Sequence, residues 1–243
     1  MGDSSLVALL ADGRAFVAPD GPGGLLTGSG WRTLDLRWVG ALPPPAIVLG
    51  AAASPDGGRI AAVARPPDAE SPSALLVVDP GEGSAVGWLL PDESLGSPPA
   101  WLDDDRVAVV QRGRDGRTFV AIVDVATGQV VDRIPLRALA FGTSGEAQTA
   151  VVLGDESRLA VGPTAEVLEL RRVPGGGPAV RPGDVVRAGI ALDRRGERLA
   201  AVVEDVTGVG QIATFERVGD AWEPGPRIAT PSGVGGGWVA WLP

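Results

Sequence analysis

Five residue types are missing from this 243-residue chain: histidine, cysteine, tyrosine, lysine and asparagine. Without histidine there is no Ser-His-Asp or Cys-His catalysis, no His-ligated zinc and no imidazole base near neutral pH. Without cysteine there is no disulfide framework and no thiolate nucleophile, and nothing indicates a redox compartment. Every one of the 21 cations is arginine; they face 30 carboxylates, for a net charge of −9. A nucleic-acid binder presents a basic face, so that balance speaks against nucleic acid as a partner. No basic amphipathic segment offers itself to a membrane surface. Although 44% of the residues are hydrophobic, no apolar run reaches the length of a membrane helix, so direct insertion by this segment is not expected. The opening Met1-Gly2-Asp3-Ser4-Ser5 lacks the basic and apolar regions of a signal peptide. The chain therefore reads either as cytoplasmic or as a domain cut from a longer exported protein.

Glycine (36) and proline (22) are plentiful instead, and spread throughout, as in a fold of many short strands joined by turns. The organising stretch is Ser54-Pro55-Asp56-Gly57-Gly58-Arg59-Ile60-Ala61-Ala62-Val63. Pro55 presets φ, Asp56 can bond its own backbone and Gly57 supplies positive φ, so a tight turn feeds a buried strand. Copies begin at Arg106 (Arg-Val-Ala-Val-Val) and Arg198 (Arg-Leu-Ala-Ala-Val), with degenerate ones at Thr149 and Leu6. The spacing of roughly 45 to 50 residues is that of propeller blades. Short runs of small residues precede the copies, such as Gly50-Ala51-Ala52-Ala53, and a second apolar strand and a more polar one follow.

These observations predict a single all-β domain over residues 1–243, a five-bladed β-propeller of four-stranded antiparallel blades. The C-terminal Gly237-Trp238-Val239-Ala240-Trp241-Leu242 would supply the inner strand of the first blade and close the ring on the N-terminal outer strands. Six blades are the alternative, because the segment 31–45 is long enough to hide an extra strand. Thr164-Ala165-Glu166-Val167-Leu168-Glu169-Leu170 fits a short helix, and its second half fits a strand equally well.

No reactive constellation emerges. Asp56 falls in the same slot as Arg195 of the late copy, which points to a turn rather than a ligand. Asp103-Asp104-Asp105 is the densest acidic cluster but lacks the spacing of a calcium loop, and neither glycine triplet has the spacing of a phosphate loop. No cofactor or metal is expected. Trp31, Trp38, Trp88 and Trp222 lie in irregular segments and are candidate partner-binding residues, with blade-edge packing as the plainer reading of each. Trp101 and Trp241 sit at equivalent inner-strand ends, where packing between blades explains them. The leading expectation is a non-catalytic, protein-binding module whose function lives in its loops. The alternative is a carbohydrate-active or other small-ligand enzyme, using Asp103, Glu146 and Asp193 at the channel mouth.

The Ser54-Pro55-Asp56-Gly57-Gly58-Arg59-Ile60-Ala61 pattern resembles the repeats of TolB-like, WD40-like propellers. A narrower resemblance is to the C-terminal propeller of the actinobacterial lipoprotein LpqB family. It rests on Asp12-Gly13-Arg14, on Arg195-Gly196-Glu197-Arg198-Leu199-Ala200-Ala201-Val202-Val203-Glu204-Asp205, on Gly219-Asp220 and Gly225-Pro226-Arg227, and on Trp238-Val239-Ala240-Trp241-Leu242. The resemblance implies an extracytoplasmic domain, anchored to the membrane through a segment preceding this one, and a role as accessory to a membrane sensor kinase through protein contacts. It carries over no catalytic residues.

Overall fold

The structure, a computed structural model, describes residues 5–9, 15–18, 24–27, 30–33, 35–38, 47–65, 72–95, 97–145, 147–154, 158–173 and 176–229; up to residue 47 it describes the backbone alone. The chain runs through its sheets in order. The leading sheet is an antiparallel meander of β1 (Ser5–Leu9), β2 (Ala15–Ala18), β3 (Gly24–Thr27) and β4 (Gly30–Thr33). After β5 (Asp35–Trp38), a second meander follows through β6 (Ile47–Ala53), β7 (Ile60–Arg65), β8 (Ala74–Asp79) and β9 (Ser84–Leu89). In the third sheet, β10 (Glu93–Ser94) and β11 (Ala100–Trp101) both pair with β12 (Arg106–Arg112), which continues to β13 (Thr118–Asp124) and β14 (Val130–Ile134). The fourth holds β15 (Ala138–Thr143), β16 (Gln148–Leu153) and β17 (Arg158–Pro163), and helix α1 (Thr164–Leu170) follows it. The last is β18 (Val185–Leu192), β19 (Arg198–Glu204), β20 (Gly210–Val218) and β21 (Ala221–Ala229). The first strands of successive sheets lie against one another, β1 on β6, β6 on β11, β11 on β15 and β15 on β18. That is the stacking of propeller blades about an axis.

The stacking explains why the second strands read as unbroken apolar runs. A strand covered on both faces has no polar side to alternate with. Along β7, Ala61 and Val63 join the core shared with Trp101, Val107 and Val109 of the third sheet, while Ile60, Ala62 and Ala64 enter a core on the opposite face. Along β12 the alternation repeats, with Ala108 and Val110 turned toward Phe141 and Val151 of the fourth sheet. Ala150 and Val152 of β16 then meet Leu199, Ala201 and Val203 of β19. The second, third and fourth sheets are thus each the common wall of two cores.

The regular four-strand pattern does not hold throughout. The four sheets within residues 47–229 pack as consecutive blades, and the leading sheet is a fifth strand group described in backbone only. The third sheet's inner strand is broken, because Pro98 and Pro99 lack the N–H groups that would carry the ladder from β10 to β11. The fourth sheet has three strands. Where a polar outer strand was expected, the chain turns into α1: Val167 is fully buried in the core between the third and fourth sheets, and the buried Thr149 hydroxyl donates to the Thr164 hydroxyl at 2.9 Å. The segment 31–45 does contribute an extra strand, β5, which pairs parallel with β9 rather than building a sixth sheet. The expected closing strand at 237–242 lies outside the described residues.

Candidate functional site

The turns between first and second strands crowd one face of the blades, and the sequence reading put its carboxylates there. In the β6–β7 turn the Ser54 hydroxyl accepts the Arg59 N–H at 2.9 Å, Asp56 accepts the Gly58 N–H at 2.9 Å, and Gly57 has φ of 72°. Asp193 takes the place of Ser54 in the β18–β19 turn, where one of its oxygens accepts the N–H groups of Glu197 at 2.8 Å and Arg198 at 3.0 Å. Gly196 repeats the positive φ at 70°. Ser144 plays the same part toward Gln148 at 3.0 Å. In the shorter β11–β12 turn Asp103 accepts from Asp105 and Arg106, at 3.0 and 2.8 Å.

Each of these acids is therefore occupied by its own turn. Burial pushes the Asp103 and Asp193 carboxyls up, but the opposing hydrogen bonds outweigh it and hold both below the ordinary carboxylate value: Arg106 and backbone N–H groups for Asp103, and the Arg198 and Glu197 N–H groups for Asp193. The Ser54 hydroxyl and the Gly58 N–H lower Asp56 likewise. A glycosidase needs two carboxyls facing one cavity, one of them raised enough to carry a proton. Asp103 and Asp193 belong to turns of two different sheets, each closed around its own arginine, Arg106 at 2.5 Å and Arg198 at 3.2 Å. Glu146 lies outside the described residues.

The indoles are dispersed as well. Trp88, on β9, is partly buried and lies across the glycine of the β13–β14 turn; a Cβ at Gly128 would fall 2.0 Å from its Cγ. Trp222, on β21, packs on the core between the fourth and last sheets. The backbone of Trp31 and Trp38 runs in β4 and β5, and their side chains lie outside the described residues.

Two surfaces that the sequence reading did not single out stand out. One is the end of the last sheet away from the Asp193 turn. Val206 (78% exposed) and Val209 on the β19–β20 turn, Val185 at the start of β18 and Ile228 on β21 (55% exposed) present apolar side chains there. The other is a cleft of about 630 Å³ beside the β12–β13 turn, lined by Arg114, Arg117, Arg133 and Arg137 together with Asp92 and Asp115. Its sequence signal is the run Arg112-Gly113-Arg114-Asp115-Gly116-Arg117, to which the pairing of β13 with β14 adds Arg133.

No family model matches the chain, and no curated protein matches it in sequence. Solved structures do match in shape. A protein of Agrobacterium tumefaciens described as TolB superposes with a TM-score of 0.63 at 13% identity, over 93% of this chain and 81% of its own. A puromycin-hydrolyzing peptidase of Mycobacterium tuberculosis gives 0.59 at 16% identity, over 91% of this chain but 37% of the peptidase. A chain of the mitotic checkpoint complex gives 0.55 at 10% identity, over 94% and 80%. The fold is an all-β propeller, similar in shape to that of the protein described as TolB. The same architecture serves in a peptidase and in a subunit of an assembly, so the function must be argued from the site.

Proposed function

We propose that this chain is a protein-docking propeller module with no reaction of its own, acting in the cell envelope as part of a lipoprotein of the LpqB kind and as an accessory to a sensor kinase. One observation carries the docking reading. Val185, Val206, Val209 and Ile228, all more than a third exposed, gather at one end of the last sheet while the carboxylates of the opposite turns are taken up internally. Grouped apolar side chains on a protein surface mark interaction sites. The envelope location and the kinase rest on the sequence resemblance.

The reading includes a ring of five blades closed by the C-terminal strand. Ala200 and Val202 support it: they alternate with the residues of β19 that face the fourth sheet, yet are 2% and 6% exposed, as they would be with another blade against them.

The test is capture of partners from envelope extracts by the wild-type chain and by the double variant Val206→Glu/Ile228→Glu. The expected outcome is a partner retained by the wild type and lost from the variant, with unchanged thermal unfolding. Equal retention by both would overturn the docking surface, and a partner found only in cytosolic extracts would overturn the envelope role.

A further inference from the structure

The fourth sheet ends at β17, yet Leu159, Ala160 and Val161 of that last strand are at most 4% exposed. Their cover is the irregular stretch 176–181, a strap on the way to β18. A Cβ at Gly177 would fall 2.0 Å from the Leu159 carbonyl oxygen and 2.9 Å from the Ala160 Cα. The strap therefore lies directly on the backbone of β17, where only glycine allows so close an approach. Pro178 is buried beside it, and Val180 packs on the core of Leu199 and Phe215 in the last sheet. That hold is light, because Ala179, Val180 and Arg181 line a cavity of about 150 Å³ against Ala213, Phe215 and Gly225.

The ladder fixes which backbone groups of β17 meet the strap. The Thr164 N–H donates to the Ala147 carbonyl at 3.3 Å, one step past the pairing of Gln148 with Pro163. Hydrogen-bonded and non-hydrogen-bonded pairs alternate along an antiparallel ladder. Pro163, Val161 and Leu159 thus turn their backbone groups away from β16, and the Leu159 oxygen under Gly177 agrees with that count. Among the described residues no backbone hydrogen bond joins the strap to β17. Val161 and Leu159 each keep an outward N–H and C=O that the strap covers without pairing. A row of such groups is a template for another strand, and covering it is one way proteins prevent that.

We propose that the strap 176–181 is a removable guard over the β17 edge, whose release lets β17 pair antiparallel with β17 of a second copy of this chain. An edge pairing with itself is complementary by two-fold symmetry. Val161 then faces its own copy and exchanges both backbone bonds with it. The Leu159 N–H reaches the carbonyl of the other copy's Pro163, where no N–H is needed from the proline. This device is independent of the apolar edge on the last sheet.

Two adjacent glycines supply the test. A Cβ at Gly177 collides with backbone, whereas at Gly176 it meets nothing within 4 Å, and neither residue has positive φ. Gly177→Ala therefore lifts the strap, and Gly176→Ala leaves it in place. Light scattering on the full chain, from about 1 μM to about 1 mM, spans the affinities of weak specific pairing. The wild type and Gly176→Ala should stay monomeric, while the mass of Gly177→Ala rises with concentration toward twice the monomer. Hydrogen exchange locates the contact: in Gly177→Ala the Leu159 and Val161 amides should exchange freely when dilute and slow as the dimer forms. Val180→Asp loosens the strap from the last sheet without touching β17 and should give the same dimer, so it decides the matter if Gly177→Ala does not fold. Monomers throughout in both strap variants would overturn the proposal. So would equal association by the wild type or Gly176→Ala, or a dimer that leaves the Leu159 and Val161 amides unprotected.

Discussion

The Trp101 indole N–H donates to the Ala52 carbonyl at 2.9 Å, joining the inner strands of two neighbouring sheets. The indole is 3% exposed, the Arg59 guanidinium lies 5.4 Å from its ring centre, and the Trp101 carbonyl accepts the Thr143 hydroxyl from the next sheet. Three consecutive blades are therefore linked through one residue. Trp101→Phe keeps an aromatic ring but strands the Ala52 carbonyl and leaves a small void. The combined loss should be about 2–4 kcal/mol. Arg59→Ala removes mainly the partly exposed cation above the ring and should cost about 0.5–1 kcal/mol. Urea unfolding checks both, and a reversed order would show that the indole hydrogen bond is not what holds the blades together.

Asp193 gives the acid limb of stability a specific test. Its folded pKa is below the unfolded value, so its contribution is complete above about pH 4 and disappears as pH falls through the folded pKa. Asp193→Ala leaves the Glu197 and Arg198 N–H groups without their acceptor and should cost about 1–3 kcal/mol at neutral pH. Asp193→Ser supplies the oxygen that Ser54 and Ser144 use in the same position, and should recover part of that loss. Denaturation midpoints at pH 7 and pH 3 provide the check: the gap between wild type and Asp193→Ser should narrow in acid.

These turns were the most legible part of the sequence, because their chemistry is local. Ser54 to Arg59 contains its own acceptor, proline and positive-φ glycine, so copies could be aligned without knowing the fold. The inner strands were legible as small residues where blades converge. What was not legible depended on distant partners. Residues 167–170 suit helix and strand alike, and burial of Val167 against the third sheet decides between them. The Trp88 environment needed Gly128, forty residues later, and the arginine cleft needed the register that sets Ala121 opposite Arg133. Asp103 and Asp193 looked like candidate acids only because their backbone partners cannot be seen in a sequence.

Gly128 has φ of 70° and the Trp88 ring directly over it, so it is constrained twice. Gly128→Ala adds the cost of a left-handed alanine, about 1 kcal/mol, to a collision at 2.0 Å that the ring must move to relieve. Overpacking of this kind brings about 1–3 kcal/mol more. Trp88→Ala removes the obstacle, so Gly128→Ala should cost much less in that background. A double-mutant cycle by thermal unfolding measures the difference, and strict additivity would mean that the indole gives way freely.

At the entry to the last sheet Arg227 meets Asp184 at 2.6 Å, with their side chains 16% and 6% exposed, and the same guanidinium lies 3.2 Å from the Gln211 amide oxygen. Most other ion pairs are far more open; Arg112 and Glu93, 3.5 Å apart, are 46% and 61% exposed. The two pairs should behave oppositely when one partner is removed. Glu93→Ala frees an arginine into water, and the effect should lie within about 0–1 kcal/mol and fade in salt. Asp184→Ala leaves a positive charge in a largely dry site on β21 and should cost about 3–5 kcal/mol with little salt dependence. Replacing both partners, Asp184→Ala with Arg227→Met, removes the stranded charge and should return much of that loss. Urea unfolding of the wild type and these three variants at low and high salt tests this. If the double variant were no more stable than Asp184→Ala, the loss would come from packing at the edge strand rather than from an uncompensated buried cation.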